Sequence, residues 1–139
     1  MKKFVLSIVA ALALFNASAQ NQNSNQKLVI DVTSTNFKVY QSVLLTIKIM
    51  AESHPNTQFD VIAYGEAVPM LMKERSAVAK EIKKYASYEN VSFTACAISM
   101  SLFDIKKDEL IDGVKIVDNA VDDIIKKQEL GWGYIKSGS

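Results

Sequence analysis

The chain has 139 residues, 49% of them hydrophobic, with 16 basic and 15 acidic side chains, one cysteine and one histidine. That length suits one hydrophobic core and is too short for two. A formal net charge of +1 lacks the basic excess that phosphate neutralisation demands, so no nucleic-acid partner is expected.

Lys2 and Lys3, an apolar run from Phe4 to Phe15, and Ala17-Ser18-Ala19 form the pattern of a secretory signal over residues 1–19. The run falls short of the roughly 20 residues that cross a bilayer. The expectation is an exported protein, periplasmic or secreted, with no membrane association after the cut behind Ala19. Removing 19 of the 139 residues leaves 120, and with two lysines gone 14 basic groups face 15 acidic ones. Residues 20–26 read as a polar linker, and residues 27–139 as the folded domain.

The domain opens on a strand over Lys27–Thr33, where Leu28, Val29, Ile30 and Val32 make a β-branched apolar run. Tyr40, Val43, Leu44, Ile47 and Met50 recur at helical spacing, which predicts a helix over Val39–Met50, closed before Pro55. A second strand, Phe59–Tyr64, ends at Gly65. Pro69 suits a first helical turn, and Leu71, Val78, Ile82 and Tyr85 then predict one helix running to about Ser87. Val91–Cys96 is the third strand. A weaker segment, Ser101–Ile111, predicts one or two short helices, and Val114–Val117 a fourth strand behind Gly113. Asn119 caps a last helix whose shared face is Val121, Ile124, Ile125 and Gln128, with Gly131 ending it. Trp132–Ile135 is a fifth short strand.

Strands alternating with helices at this spacing pair through crossovers, not hairpins. The expected fold is α/β, a three-layer sandwich around a mostly parallel five-stranded sheet of flavodoxin-like type.

In such sheets ligands bind outside the carboxyl ends of the strands, here Thr33–Asn36, Gly65–Val68 and Cys96–Ser101. Cys96 falls on that rim. With one cysteine no internal disulfide forms, so Cys96 is a reactive thiol, an intermolecular partner or a buried small hydrophobe. A helix following it would lower its pKa and stabilise a thiolate or persulfide. Thr33-Ser34-Thr35-Asn36 is similar to a hydroxyl-rich phosphate loop, yet it contains no glycine and reads better as a helix cap. His54 precedes a proline and reads as a solvated turn. One histidine and one cysteine make no zinc cluster, the acids lack calcium-loop spacing, and no Gly-x-Ser-x-Gly elbow presents a serine. No cofactor or metal is therefore expected. Trp132 and Tyr134, beside two glycines, suit a ligand platform, a terminal strand or an oligomer contact.

From Phe59 onward the order of motifs resembles the DsrE/DsrF-like family of small α/β sulfur-relay proteins. Val61-Ile62-Ala63-Tyr64-Gly65-Glu66-Ala67-Val68 is similar to its second-strand motif, with Tyr64 where histidine is common. Val91-Ser92-Phe93-Thr94-Ala95-Cys96 is similar to its cysteine strand, followed by Ala97-Ile98-Ser99-Met100 in place of a frequent x-Asn-Thr-Leu. Residues 108–114 and 128–135 resemble its closing segments. The resemblance implies a DsrE-like fold and homo-oligomers, trimeric or hexameric, with the cysteine near an interface. It also implies a sulfur carrier or thiol-redox protein in which Cys96 accepts sulfur as a persulfide from a donor protein or small sulfur compound. The reading from a different class is a non-catalytic oligomeric binding or scaffold module with Cys96 buried.

Overall fold

Strands β1 (Lys27–Val32), β2 (Gln58–Ala63), β3 (Val91–Cys96), β4 (Lys115–Val117) and β5 (Gly133–Ser137) form one all-parallel sheet in the order β4-β3-β2-β1-β5. The computed structural model describes residues 25–138. The predicted signal and most of the linker lie outside the described residues.

The three central strands are buried at most positions because both sheet faces are covered. Ile30, Val61 and Phe93 point to one face and join a large cluster. Helices α1 (Phe37–Ser53) and α2 (Ala79–Tyr85), a 3-10 helix at Gly65–Leu71 and Met100 of the short helix α3 (Ala97–Leu102) complete it. Val29, Ile62 and Cys96 point to the opposite face, against Ala120 and Ile124 of helix α4 (Ala120–Glu129). Connectivity explains the division. The chain steps from β1 to β4 in one direction and then returns past β1 to place β5. Right-handed crossovers put the early helices on one face and the returning helix on the other.

The five strands lie where the sequence puts them, each within two residues at either end. Helix α1 starts earlier than predicted. The Asn36 side chain accepts the Lys38 N–H at 2.9 Å and Ser34 Oγ accepts the Asn36 N–H at 3.2 Å, so the Thr33–Asn36 loop is a helix cap.

The single helix expected from Pro69 to about Ser87 is broken. Pro69 lies inside the 3-10 helix, Met72 is extended and bridges Leu110, and α2 begins only at Ala79. The bonds Lys73 N–H to Glu109 O and Ile111 N–H to Leu71 O, both 2.9 Å, hold residues 71–73 as a ribbon against the later loop. Tertiary pairing overrides local helix preference there. Leu71, Val78, Ile82 and Tyr85 are all buried, on two pieces of structure rather than one.

The face of α4 also differs from the predicted one. Asn119 caps it by accepting the Val121 and Asp122 N–H groups, and Gly131 (φ +84°) follows it in the left-handed region. The buried positions, however, are Ala120 and Ile124, whereas Val121 and Ile125 are each 50% exposed. Among the described residues only one helix lies on this side of the sheet, and no second element covers the flank that carries them.

Candidate functional site

The loops after β3 and β4 leave the sheet on opposite faces, α3 toward the large cluster and α4 toward the small one. Cys96, the last residue of β3 and the N-cap of α3, stands at the carboxyl end of its strand, paired in register with Val117 of β4. The Ile98 N–H donates to Asp118 O at 3.3 Å and closes the two loops over the sulfur.

Cys96 Sγ accepts the Ala120 N–H, the first amide of α4, at 3.4 Å, and as a thiol faces Asp118 O at 3.9 Å. Burial pushes the thiol pKa up, but the nearby amides of Ser99, Ala120 and Ile98 and the Ser99 hydroxyl outweigh it, the Ala120 amide alone lying in hydrogen-bond geometry to the sulfur. The net effect holds the thiol below its ordinary value. Oriented amides at helix starts favour the thiolate in the same way. Ser99 is itself buried, and its Oγ accepts the Gly65 N–H at 2.8 Å. That bond joins the loop after β2 to the loop after β3. Gly65 has φ +58°, a conformation that costs a residue with Cβ. Cys96 is only 4% exposed.

Beside the cysteine on the same sheet face lies a second polar group. Asp31 of β1, 3% exposed, accepts the Tyr64 hydroxyl at 3.1 Å and the Tyr134 hydroxyl at 2.6 Å, both on Oδ2. Its buried Oδ1 has no hydrogen-bond partner among the described residues. Hydrogen bonding to Asp31 raises the Tyr134 phenol to about 12. Burial raises Tyr64, and the charges of Asp31 and of Cys96 add to it. Lower on this face, Asp60 of β2 takes the Thr94 hydroxyl at 2.7 Å and Lys127 Nζ at 3.0 Å, and Lys127 also pairs with Asp123.

The structure thus brings Cys96–Ser101 and Gly65–Val68 together and leaves Thr33–Asn36 as a cap. His54 is exposed at the amino end of β2, bonded to Ser53 Oγ at 2.8 Å, and stands apart from the cysteine. Trp132 packs on the small cluster with the Lys27 and Lys127 ammonium groups 5.8 and 5.7 Å from its ring centre. Asp31, Asp60 and Ser99 are the functional-face residues that sequence reasoning passed over. The signal for the two aspartates was present: one inside each of the strands Lys-Leu-Val-Ile-Asp-Val and Gln-Phe-Asp-Val-Ile-Ala. Among the described residues no group of three or more His, Cys, Asp or Glu is placed to hold a metal ion, and no helix is long and apolar enough to cross a membrane.

Residues 12–129 match the DsrE/DsrF/DrsH-like family. The chain belongs to that family. Among solved structures, this DsrE-like chain is similar to the protein of unknown function MTH1491 from Methanobacterium thermoautotrophicum, at 21% identity and a TM-score of 0.75, over 80% of this chain and 98% of that one. It is also similar to the conserved protein of unknown function BT1422 from Bacteroides thetaiotaomicron, at 15% identity and 0.66, over 84% and 99%. The ychN protein from E. coli matches at 19% identity and 0.65, over 80% and 98%. At these identities the likeness establishes the fold, an α/β sandwich on a parallel five-stranded sheet. No curated protein matches the chain.

Proposed function

We propose that this DsrE-like protein is a sulfur carrier or thiol-redox protein whose nucleophile is Cys96. The observation that carries the reading is the position of the cysteine: at the carboxyl end of β3, its sulfur accepting the Ala120 amide, with its pKa drawn below that of an ordinary thiol. In the step we infer, the Cys96 thiolate attacks the outer sulfur of a donor persulfide, R–S–S–H. A new S–S bond forms to Cys96, the donor S–S bond breaks, and R–S⁻ leaves with the electron pair. The proton stays on the transferred sulfur.

Export belongs to the same proposal. It rests on the basic, apolar and small-residue pattern of residues 1–19, and it would separate the protein from cytosolic sulfur relay to transfer RNA. So does a homo-oligomer, trimeric or hexameric. Ile98, Leu102 and Phe103 around α3 and Val121 and Ile125 on α4 are apolar side chains left 44–76% exposed on either side of the cysteine. Association through them would enclose the sulfur.

One observation favours the second reading, a binding or scaffold module with a silent cysteine: the 4% exposure of Cys96. Intact mass after incubation with polysulfide separates the two. The carrier gains sulfur that a reductant removes and that Cys96→Ser does not take up; the scaffold gains none.

A further inference from the structure

The sheet face that carries Cys96 holds a second feature, which Cys96 does not line. A groove of about 370 Å³ lies over β3, with the edge strand β4 on one side and Lys127 and Trp132 on the other. Its floor is polar where a covered central strand is ordinarily apolar. From β3, Val91, Phe93 and Ala95 enter the large cluster on one face, while Ser92 and Thr94 present hydroxyls to the other. The strand registers place Asp60 of β2 beside Ser92, and Lys115 of β4 beside Thr94, on that same face.

These groups are matched unevenly. Buried Asp60 takes the Thr94 hydroxyl and the Lys127 ammonium, and Lys127 also pairs with Asp123. Lys115 Nζ donates to Ser92 Oγ at 2.8 Å, but among the described residues no carboxylate forms an ion pair with it. That bond leaves two ammonium protons unused, and the Ser92 oxygen, having accepted, keeps its own proton to donate. A charged and a neutral donor side by side fit the two oxygens of a carboxylate. Asp60, Asp123 and exposed Glu89 at the rim keep the surroundings acidic, so a sulfate or phosphate dianion meets repulsion that a single charge seated on Lys115 largely escapes. Trp132 and Ile116 add an apolar wall, and the volume lies at the small end of the range for small-molecule sites. We propose that this groove is a second site, binding a small organic monocarboxylate whose carboxylate is held by Lys115 and Ser92 and whose apolar body lies against Trp132.

The test titrates the mature chain with benzoate, read by calorimetry and by the fluorescence of Trp132, the sole tryptophan. Benzamide, of the same shape without the charge, and sulfate serve as comparisons. Saturable benzoate binding is expected, with a matching change in Trp132 emission and with benzamide and sulfate both much weaker. Lys115→Met is expected to weaken benzoate roughly tenfold and Ser92→Ala about threefold. Lys115 is exposed on an edge strand, and circular dichroism checks that both variants fold; Ser92→Ala decides the matter should Lys115→Met fail to fold. No saturable heat in the native chain overturns the proposal, as does benzoate binding that neither variant weakens. Benzamide or sulfate binding as tightly as benzoate overturns the assignment to a monocarboxylate. Neither the ligand nor the variants involve Cys96, so failure here stays distinct from a failure of Cys96 to carry sulfur.

Discussion

Replacing Lys127 with methionine keeps the length of the side chain and removes its charge, which makes it the sharpest probe of the polar layer under α4. Lys127 Nζ lies 3.0 Å from Asp60 Oδ2, and the two side chains are only 16% and 7% exposed. Without the ammonium, the Asp60 carboxylate keeps the Thr94 hydroxyl at 2.7 Å as its single donor. Asp123, at 24% side-chain exposure, turns to water more readily. Breaking a buried pair from one side costs about 3–5 kcal/mol, because a charge is left without compensation. The partial exposure of Lys127 puts the expected loss near the lower end, about 3 kcal/mol, and for a domain of this size a fall in Tm of about 10 °C. Urea unfolding followed by circular dichroism measures it. The double variant Asp60→Asn, Lys127→Met is expected to be more stable than Lys127→Met alone, since both members of the pair are then neutral. A loss below about 1 kcal/mol in the single variant, or strict additivity in the double one, would refute the account of a buried, mutually dependent pair.

Tyr134 supplies an alkaline counterpart. Its folded-state value is raised to about 12 by donation to Asp31, so its contribution to stability is complete below the ordinary phenol value of 10.0 and is lost as pH climbs through about 12. Urea midpoints taken below pH 10 and near pH 12 are expected to fall over that window in the native chain and to fall less in Tyr134→Phe. Asn119→Ala removes the side chain that accepts the Val121 and Asp122 amides and is expected to cost about 1 kcal/mol by the same unfolding assay; no change would mean that the start of α4 is held by packing alone.

What the sequence made legible is what short-range pattern encodes. The runs Leu28-Val29-Ile30 and Val91–Cys96 announce buried parallel strands because β-branched and aromatic residues fill both faces, and Asn119 and Gly131 announce the ends of α4 through capping chemistry. The misread segments are those decided by distant partners. Residues 71–73 lie in a helical pattern but are held by Glu109 and Ile111, nearly forty positions on, and that pairing is absent from any local window. Val121 and Ile125 share helical periodicity with Ile124, yet among the described residues the topology places a single helix on that face, and they stay half exposed beside it.

The site divides in the same way. Cys96 was visible as the lone cysteine at a strand end. Ser99 gains its meaning only from Gly65, 34 residues earlier, and Asp31 only from Tyr64 and Tyr134, 33 and 103 residues later. Four strands, β1, β2, β3 and β5, must be assembled before those atoms meet. Tyr64, noted as standing where the family commonly has histidine, turns out to direct its hydroxyl to a buried acid.

The most direct test of the central claim is the intact mass of the purified mature protein before and after incubation with polysulfide, read beside Cys96→Ser. The account expects a gain of one sulfur that a reductant removes and that the serine variant never acquires. No gain in the native chain, or an equal gain in Cys96→Ser, would contradict it and leave Cys96 as a buried structural residue.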